Sequence, residues 1–317
     1  MKIINFEDIV NLNISPMDCY YWVEEMLMQK YTALLPPKIS MKQAEQSFCN
    51  VMPSVLPGLD AMGVKIVTRY PAREPSLESQ IILYRQRDGE PLALMDGTYI
   101  TALRTGAVAA HSICTFAKSD YKTIGVLGLG NTARATMHIY ASMNDKAIEV
   151  KLLRYKDQAE SFIERFKHHS NLKFSIYDSA KELIAHSDVT LSCITYTDEL
   201  LAPDSTYKPG CTVIPIHTRG FQNCDLFFDK VFADDRGHVE GFQNFKKFKS
   251  FSETCDVIAG KVPGRANDEE RILVYNIGIS VHDVFFASKI YSMIREGANK
   301  RYDDIYLTPK DIGKFWV

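Results

Sequence analysis

The sequence predicts an α/β protein: a parallel, helix-covered sheet in the second half of the chain, joined to a mixed α+β part. Three observations predict it. From Thr123 onward short apolar runs alternate with helical segments, which implies parallel strands covered on both faces. Before Thr123 two such runs are joined by Asp88-Gly89, the mark of an antiparallel hairpin. The third is length: 317 residues exceed the roughly 250–300 at which single cores stop growing, so two domains are expected.

Each element has a local reason. Ser15-Pro16-Met17-Asp18 starts a helix, with Ser15 as cap, Pro16 in the first turn and Asp18 within reach of the open N–H groups. Cys19, Trp22, Val23, Met26 and Leu27 continue it at helical spacing, and Pro36-Pro37 closes the segment. Between Lys38 and Met95 the pattern turns β-like, with runs at Gly63–Tyr70, Gln80–Arg85 and Pro91–Met95. Leu94–Ala117 reads as a closely packed helix, because the residues after Arg104 are small. Ile148–Leu153 is the second strand of the parallel sheet, Gln158–His169 a solvated helix, and Asp188–Ile194 and Thr212–Ile216 are buried strands, the last entered from the turn Lys208-Pro209-Gly210. Phe242, Phe245, Phe248 and Phe251, three apart among lysines, read as the buried stripe of a helix rather than a platform for nucleic-acid bases. Ile272–Ile279 resembles a last strand, and Val284, Ala287, Tyr291 and Ile294 form a helical stripe ending at Gly297.

Composition excludes several classes. A formal charge of −2 with 24% charged residues advertises neither a nucleic-acid nor a membrane surface. The opening MKIINFEDIV is acidic where a signal peptide needs basic residues, and no run approaches the ~18–20 apolar residues of a membrane span, so a cytoplasmic location is expected. Seven scattered cysteines without a CxxC pair argue against both a disulfide framework and a zinc site. His168-His169 lies on a charged helix and is read as solvent-facing, so no metal is expected.

The chemistry concentrates at Thr123–Ala135. Ile124, Val126 and Leu127 read as a strand, followed at once by Gly128-Leu129-Gly130-Asn131-Thr132-Ala133, a GxGxxA turn opening a helix. Such a turn aims the first helical N–H groups outward, leaves room at Gly130 for a pyrophosphate, and lets helix and strand approach at Ala133. Gly128, Gly130, Asn131, Thr132 and Ala133 are therefore candidates for binding NAD or NADP. The second strand ends in Leu153-Arg154-Tyr155-Lys156, with no acidic residue before Asp157 to hold the ribose 2′-OH of NAD. Arg154 and Lys156 are instead available to a 2′-phosphate, which favours NADP. Arg104, a guanidinium among small apolar residues, is either a clamp for a ligand carboxylate or one half of an internal ion pair.

Several blocks resemble the ornithine cyclodeaminase/mu-crystallin family: Gly63-Val64-Lys65, Met95-Asp96-Gly97, Thr101-Ala102-Leu103-Arg104-Thr105-Gly106-Ala107, the GxGxxA turn, Lys208-Pro209-Gly210, Gly260-Lys261-Val262-Pro263-Gly264-Arg265, and Asn276-Ile277-Gly278 with Asp283. They run in family order across nearly the whole chain, and the block around Arg104 is far more specific than the glycine motif. The resemblance implies a homodimer in which a Rossmann NAD(P)-binding domain, residues 118–281, is inserted into an α+β substrate-binding and dimerisation domain, residues 1–117 and 282–317. It implies that Arg104 and Lys65 bind the carboxylate of a small amino, imino or oxo acid against the nicotinamide, with Thr105 beside the cofactor. Lys38, after Pro37, stands where cyclodeaminases have arginine, and the backbone around Ile277 matches the loop that closes over substrate. Lys65 either handles protons at the substrate nitrogen or only anchors the carboxylate.

One position departs from the family. The aspartate that cyclodeaminases place after the strand matching Thr212–Ile216 falls, by a gapless count back from Asp225-Leu226, on Arg219, and no carboxylate occurs from His217 to Cys224. The expected activity is therefore oxidoreduction between amine and imine, or oxo acid, at an α-carbon. The alternatives are an ammonia lyase of the cyclodeaminase type with recycled NAD, and a non-enzymatic binding protein like mu-crystallin. Arg219 with His217 either binds a second substrate carboxylate or faces solvent.

Overall fold

A computed structural model describes residues 1–44, 46–194, 197, 200–216, 227–296, 302 and 305. The chain divides into two units, residues 1–13, 32–100 and 283–317, and residues 14–31 and 101–282.

The first unit holds β1 (Lys2–Ile4), α1 (Phe6–Val10), β2 (Ile39–Lys42), β3 (Phe48–Leu56), β4 (Ala61–Arg69), β5 (Leu77–Arg85) and β6 (Pro91–Asp96). Among the described residues they form one sheet in the order β1-β6-β5-β4-β3-β2, antiparallel except that β1 lies parallel to β6. The expected hairpin at Asp88-Gly89 joins β5 to β6, and Gly89 takes the left-handed φ of +70° that such a turn asks of glycine. Alternation along β4 puts Ala61, Gly63, Lys65 and Val67 on the covered face and Met62, Val64, Ile66 and Thr68 on the other. A Cβ on Gly63 would lie 2.8 Å from the Ile82 carbonyl oxygen and 3.1 Å from the Val284 side chain, so glycine lets the strand and its covering residues approach.

The second unit begins with α2 (Pro16–Gln29), whose cap forms as expected, the Met17 N–H donating to Ser15 Oγ at 3.2 Å. It continues with α3 (Gly97–Phe116), β7 (Thr123–Leu127), α4 (Asn131–Met143), β8 (Ile148–Leu153), α5 (Gln158–Phe166), β9 (Leu172–Tyr177), α6 (Ala180–Ala185) and β10 (Val189–Ser192). After these come β11 (Thr212–Pro215), β12 (Lys230–Ala233), α7 (Arg236–Val239), β13 (Phe251–Glu253), α8 (Thr254–Ile258) and β14 (Ile272–Tyr275), while α9 (Ser280–Glu296) belongs to the first unit from Asp283 onward. The unit boundaries fall inside α3 and α9.

The sheet of this unit is wholly parallel, ordered β13-β12-β14-β11-β10-β7-β8-β9. Strands β10, β11 and β14 are buried at every position, as a sheet covered on both faces demands. From β7 the chain winds one way to β8 and β9, and the other way to β10 and β11. Between β7 and β10 lies the switch point, where a doubly wound Rossmann sheet opens a crevice beyond its carboxyl ends.

Two sequence readings need restating. Residues 14–31 and 101–117, grouped by sequence with the first domain, pack here in the second unit, where α2 lies against α4 and α8. A Cβ on Gly106 of α3 would come within 2.6 Å of Ala135 of α4, which explains the run of small residues after Arg104. The four phenylalanines share no helix: they span a short turn at Phe245–Lys247 and the strand β13. All four still pack against the buried core of this unit, and Phe242 meets Tyr275 edge-on at 5.3 Å. Among the described residues no helix is long and apolar enough to cross a membrane.

Candidate active site

The glycine turn follows β7 at the switch point, and its two glycines are glycine for opposite reasons. Gly128 has φ +81°, and a Cβ there would lie 2.8–2.9 Å from backbone atoms of Cys193 and Ile194, which follow β10. The chain itself requires that glycine. Gly130 has φ −76°, and an added Cβ would meet nothing within 4 Å. Its missing side chain therefore serves no contact within the described chain and keeps space open at the start of α4. Gly130 is the N-cap of this 13-residue helix and no side chain caps it, so the first N–H groups and the helix dipole face that space. A pyrophosphate fits this arrangement. Asn131 is exposed there, Thr132 half-buried and Ala133 fully buried.

Arg154 and Lys156 follow β8 and are exposed. Lys156 has φ +52°, and its ammonium sits 5.4 Å from the centre of the Tyr155 ring. Arg154 already has company: Nε donates to Asp178 at 2.7 Å and Nη1 to Glu160 at 3.1 Å. The strand-end rule does not look at either carboxylate, since Asp178 follows β9 and Glu160 lies on α5.

Arg104, on α3, is only 6% exposed, so its charge is not dispersed by water. Its guanidinium lies on the backbone of Gly278, where a Cβ would come within 2.7 Å of Nη1 and 3.0 Å of Nη2. Gly278 has φ +74°, a second reason for glycine. Its N–H donates to Asp234 Oδ2 at 3.0 Å, while Asn276 Nδ2 donates to Asp234 Oδ1 at 3.4 Å. Asp234 directly follows β12, and Asn276 directly follows the adjacent β14. Burial pushes the Asp234 carboxyl up to about 6, against the opposing pulls of the Gly278 N–H, Arg104, Asn276 and Lys30. Lys30 in turn pairs with Asp235 at 2.9 Å and with Glu253. Beside Arg104, the Thr105 hydroxyl donates to the Thr101 carbonyl, and Ile277 is half-buried against the core.

In the first unit, Lys65 points to the covered face of β4 and is 2% exposed, with its Nζ 2.7 Å from a carboxylate oxygen of Asp283, which is 0% exposed. Lys38 is half-buried just before β2. Arg219 and His217 lie outside the described residues.

Sequence reasoning gave no role to Asp234, and it named Asp283 only as a matched position. The signal for Asp234 was present: a carboxylate directly after a four-residue apolar strand, at the carboxyl edge where α/β sheets bind ligands.

Comparison with known proteins agrees in kind. The family model described as the ornithine cyclodeaminase/mu-crystallin family matches residues 2–298. The chain is 28% identical over 276 residues to nodulation efficiency protein NfeD of Rhizobium meliloti, covering 82% of this chain and 84% of that one. It is 27% identical over 272 residues to a Delta(1)-pyrroline-2-carboxylate reductase of Bacillus cereus, covering 80% and 83%. Among solved structures, the Delta(1)-pyrroline-2-carboxylate reductase of Thermococcus litoralis, in complex with NADH and L-proline, superposes with a TM-score of 0.85 at 23% identity, over 96% of this chain and 100% of that one. That likeness concerns the fold. A glycine turn with an open helix start, a guanidinium seated on Gly278, a buried Lys65–Asp283 pair and a family model spanning residues 2–298 lead to one assignment: the chain belongs to the ornithine cyclodeaminase/mu-crystallin family.

Proposed function

We propose that the chain is an NAD(P)-dependent oxidoreductase that interconverts amine and imine at the α-carbon of a small amino acid, with the cyclic imino acid Delta(1)-pyrroline-2-carboxylate as first candidate substrate. The observation that carries this reading is the burial of Arg104 and Lys65, two cations held out of bulk water at the positions where the family resemblance implies that a substrate carboxylate is bound. The names of the relatives point the same way, toward reduction of a carbon–nitrogen double bond next to a carboxylate.

Bound nicotinamide supplies or accepts the hydride. The protein's share is placement. Arg104 offers a planar fork suited to bidentate hold of the substrate carboxylate. Lys65, fixed by Asp283, offers a donor at a set position to the carboxylate or the substrate nitrogen. The N-terminus of α4 takes the pyrophosphate, and Arg154 with Lys156 tilts the choice toward NADP(H). A homodimer is the proposed assembly. It is supported by the outward, partly exposed β4 face of Met62, Val64 and Ile66, and by Leu34, Ile39 and Met41, exposed near the β2 edge of the same sheet.

The test is an assay of the purified protein with NADPH. Delta(1)-pyrroline-2-carboxylate is expected to be reduced to proline with a continuous, stoichiometric fall in reduced-nicotinamide absorbance. Release of ammonia from L-ornithine with no net change in that absorbance would replace the reductase reading by the cyclodeaminase one.

A further inference from the structure

Asp234 takes no part in the chemistry above, yet it is a carboxylate at 1% exposure, and a charge in such a place is costly to keep. Its two oxygens hold the two ends of one loop. Oδ2 accepts the Gly278 N–H at 3.0 Å and Oδ1 accepts the Asn276 amide at 3.4 Å, across the adjacent strands β12 and β14. On that same Gly278 lies the guanidinium of Arg104. Lys30, from beyond α2, also faces Asp234, but it is itself held by Asp235 and Glu253. The loop backbone is thus pinned from below by Asp234 and carries Arg104 above.

We infer that Asp234 is the positioning residue for Arg104: by holding Asn276 and Gly278 it keeps the loop flush beneath the guanidinium and fixes the plane in which Arg104 presents its fork to the substrate carboxylate. This rests on Arg104 being the carboxylate anchor. A guanidinium makes two parallel hydrogen bonds only within its own plane, so a small tilt of its seat costs one of them. Burial pushes the Asp234 carboxyl up to about 6, so the ionised form depends on these same neighbours, Arg104 among them. The loop, the carboxylate and the guanidinium therefore form one unit.

The experiment compares Asp234→Asn and Asp234→Ala in the wild-type and Arg104→Lys backgrounds. It reads KM and kcat with Delta(1)-pyrroline-2-carboxylate, the dissociation constant of NADPH, and the melting temperature. Asparagine keeps the shape and an acceptor for the Gly278 N–H but removes the charge. It is expected to raise KM about tenfold, and alanine more, with NADPH affinity changed by less than about twofold. In the Arg104→Lys background the same substitution is expected to add less than about twofold, because an ammonium has no plane to orient. Equal effects in both backgrounds, or a lowered melting temperature with unchanged KM, overturn the proposal. If the Asp234 variants do not fold, Gly278→Ala decides. Its methyl, 2.7 Å from Nη1, must turn the guanidinium and raise KM in the wild-type background only. If Arg104→Lys by itself leaves KM unchanged, the anchor reading fails. If it raises KM while Asp234→Asn does not, only the positioning role fails.

Discussion

Lys65 and Arg104 are buried cations in different units, and their counter-charges are arranged differently. On β4, Lys65 meets Asp283 directly, side chain to side chain at 2.7 Å, with both groups shut away from water. On α3, Arg104 rests on the backbone of Gly278, and Asp234, the carboxylate that faces it, is already held by that glycine's N–H and by Asn276. In the first arrangement the two charges meet directly, so removing one takes from the other its nearest counter-charge. In the second, removing the guanidinium leaves Asp234 with its N–H donor, its amide donor and the field of Lys30. Damage at Lys65 or Asp283 should therefore weigh heavily on stability as well as on activity, whereas damage at Arg104 should weigh more on activity than on stability.

The largest expected effect is that of Arg104→Ala. Loss of a charge-assisted bidentate contact costs roughly 1.5–3 kcal/mol in binding, and misorientation of the reacting carbon adds to it, so kcat/KM should fall by about 10³-fold or more. NADPH affinity should be retained, and the loss of stability should stay below that of Asp283→Ala. Loss of NADPH binding with normal substrate saturation would move Arg104 to the phosphates. A loss of stability as large as that of Asp283→Ala would erase the contrast between the two cations.

Next in size is Asp283→Ala, which leaves the Lys65 ammonium buried without its carboxylate and should destabilise the protein by about 3–5 kcal/mol in denaturant unfolding. The double variant Lys65→Met with Asp283→Leu removes both charges together, and most of the lost stability should return while activity does not. If the double variant is no more stable than the single one, the pair is not the reason for the loss, and the packing of α9 on β4 would have to be.

These contrasts show where the sequence was readable. Gly128, Gly130, Arg104 and the Ser15 cap could be picked out because each carries its constraint in its own residue type and immediate spacing, and Lys65 through the family resemblance of its block. Their partners could not. Asp234 reaches Gly278 across 44 residues, and only because β12 and β14 are neighbours in a sheet whose order is not sequential. Asp283 reaches Lys65 only because Gly63 lets β4 approach the residues of α9 beyond it. The three-residue β1 is too short to show a period, and β9, mostly half-exposed, lacks the apolar run that marked its neighbours. The phenylalanine row misled in form alone, because burial was dictated by a core assembled from distant strands while the local chain, broken by Gly241 and Asn244, runs as turns.

Arg154 supplies a third cation, exposed where the other two are buried, and with it the smallest effect. The sequence favoured NADP(H) because no acidic residue closes β8, but folding brings Asp178 and Glu160 to the same guanidinium from β9 and α5. Both are exposed pairs that contribute little, so a 2′-phosphate can displace them at modest cost. The preference for NADPH over NADH should consequently be present and small, about tenfold or less. Asp178→Asn should raise the ratio by a further two- to fivefold, roughly the worth of one exposed pair, and Arg154→Ala should bring it close to one. The ratio is to be measured by titrating nucleotide fluorescence at fixed, low ionic strength, because salt screens the pairs and the phosphate contact alike. Tighter binding of NADH, or a ratio indifferent to Arg154→Ala, would leave Arg154 as a surface ion pair and return the cofactor choice to Lys156 and the backbone at the end of β8.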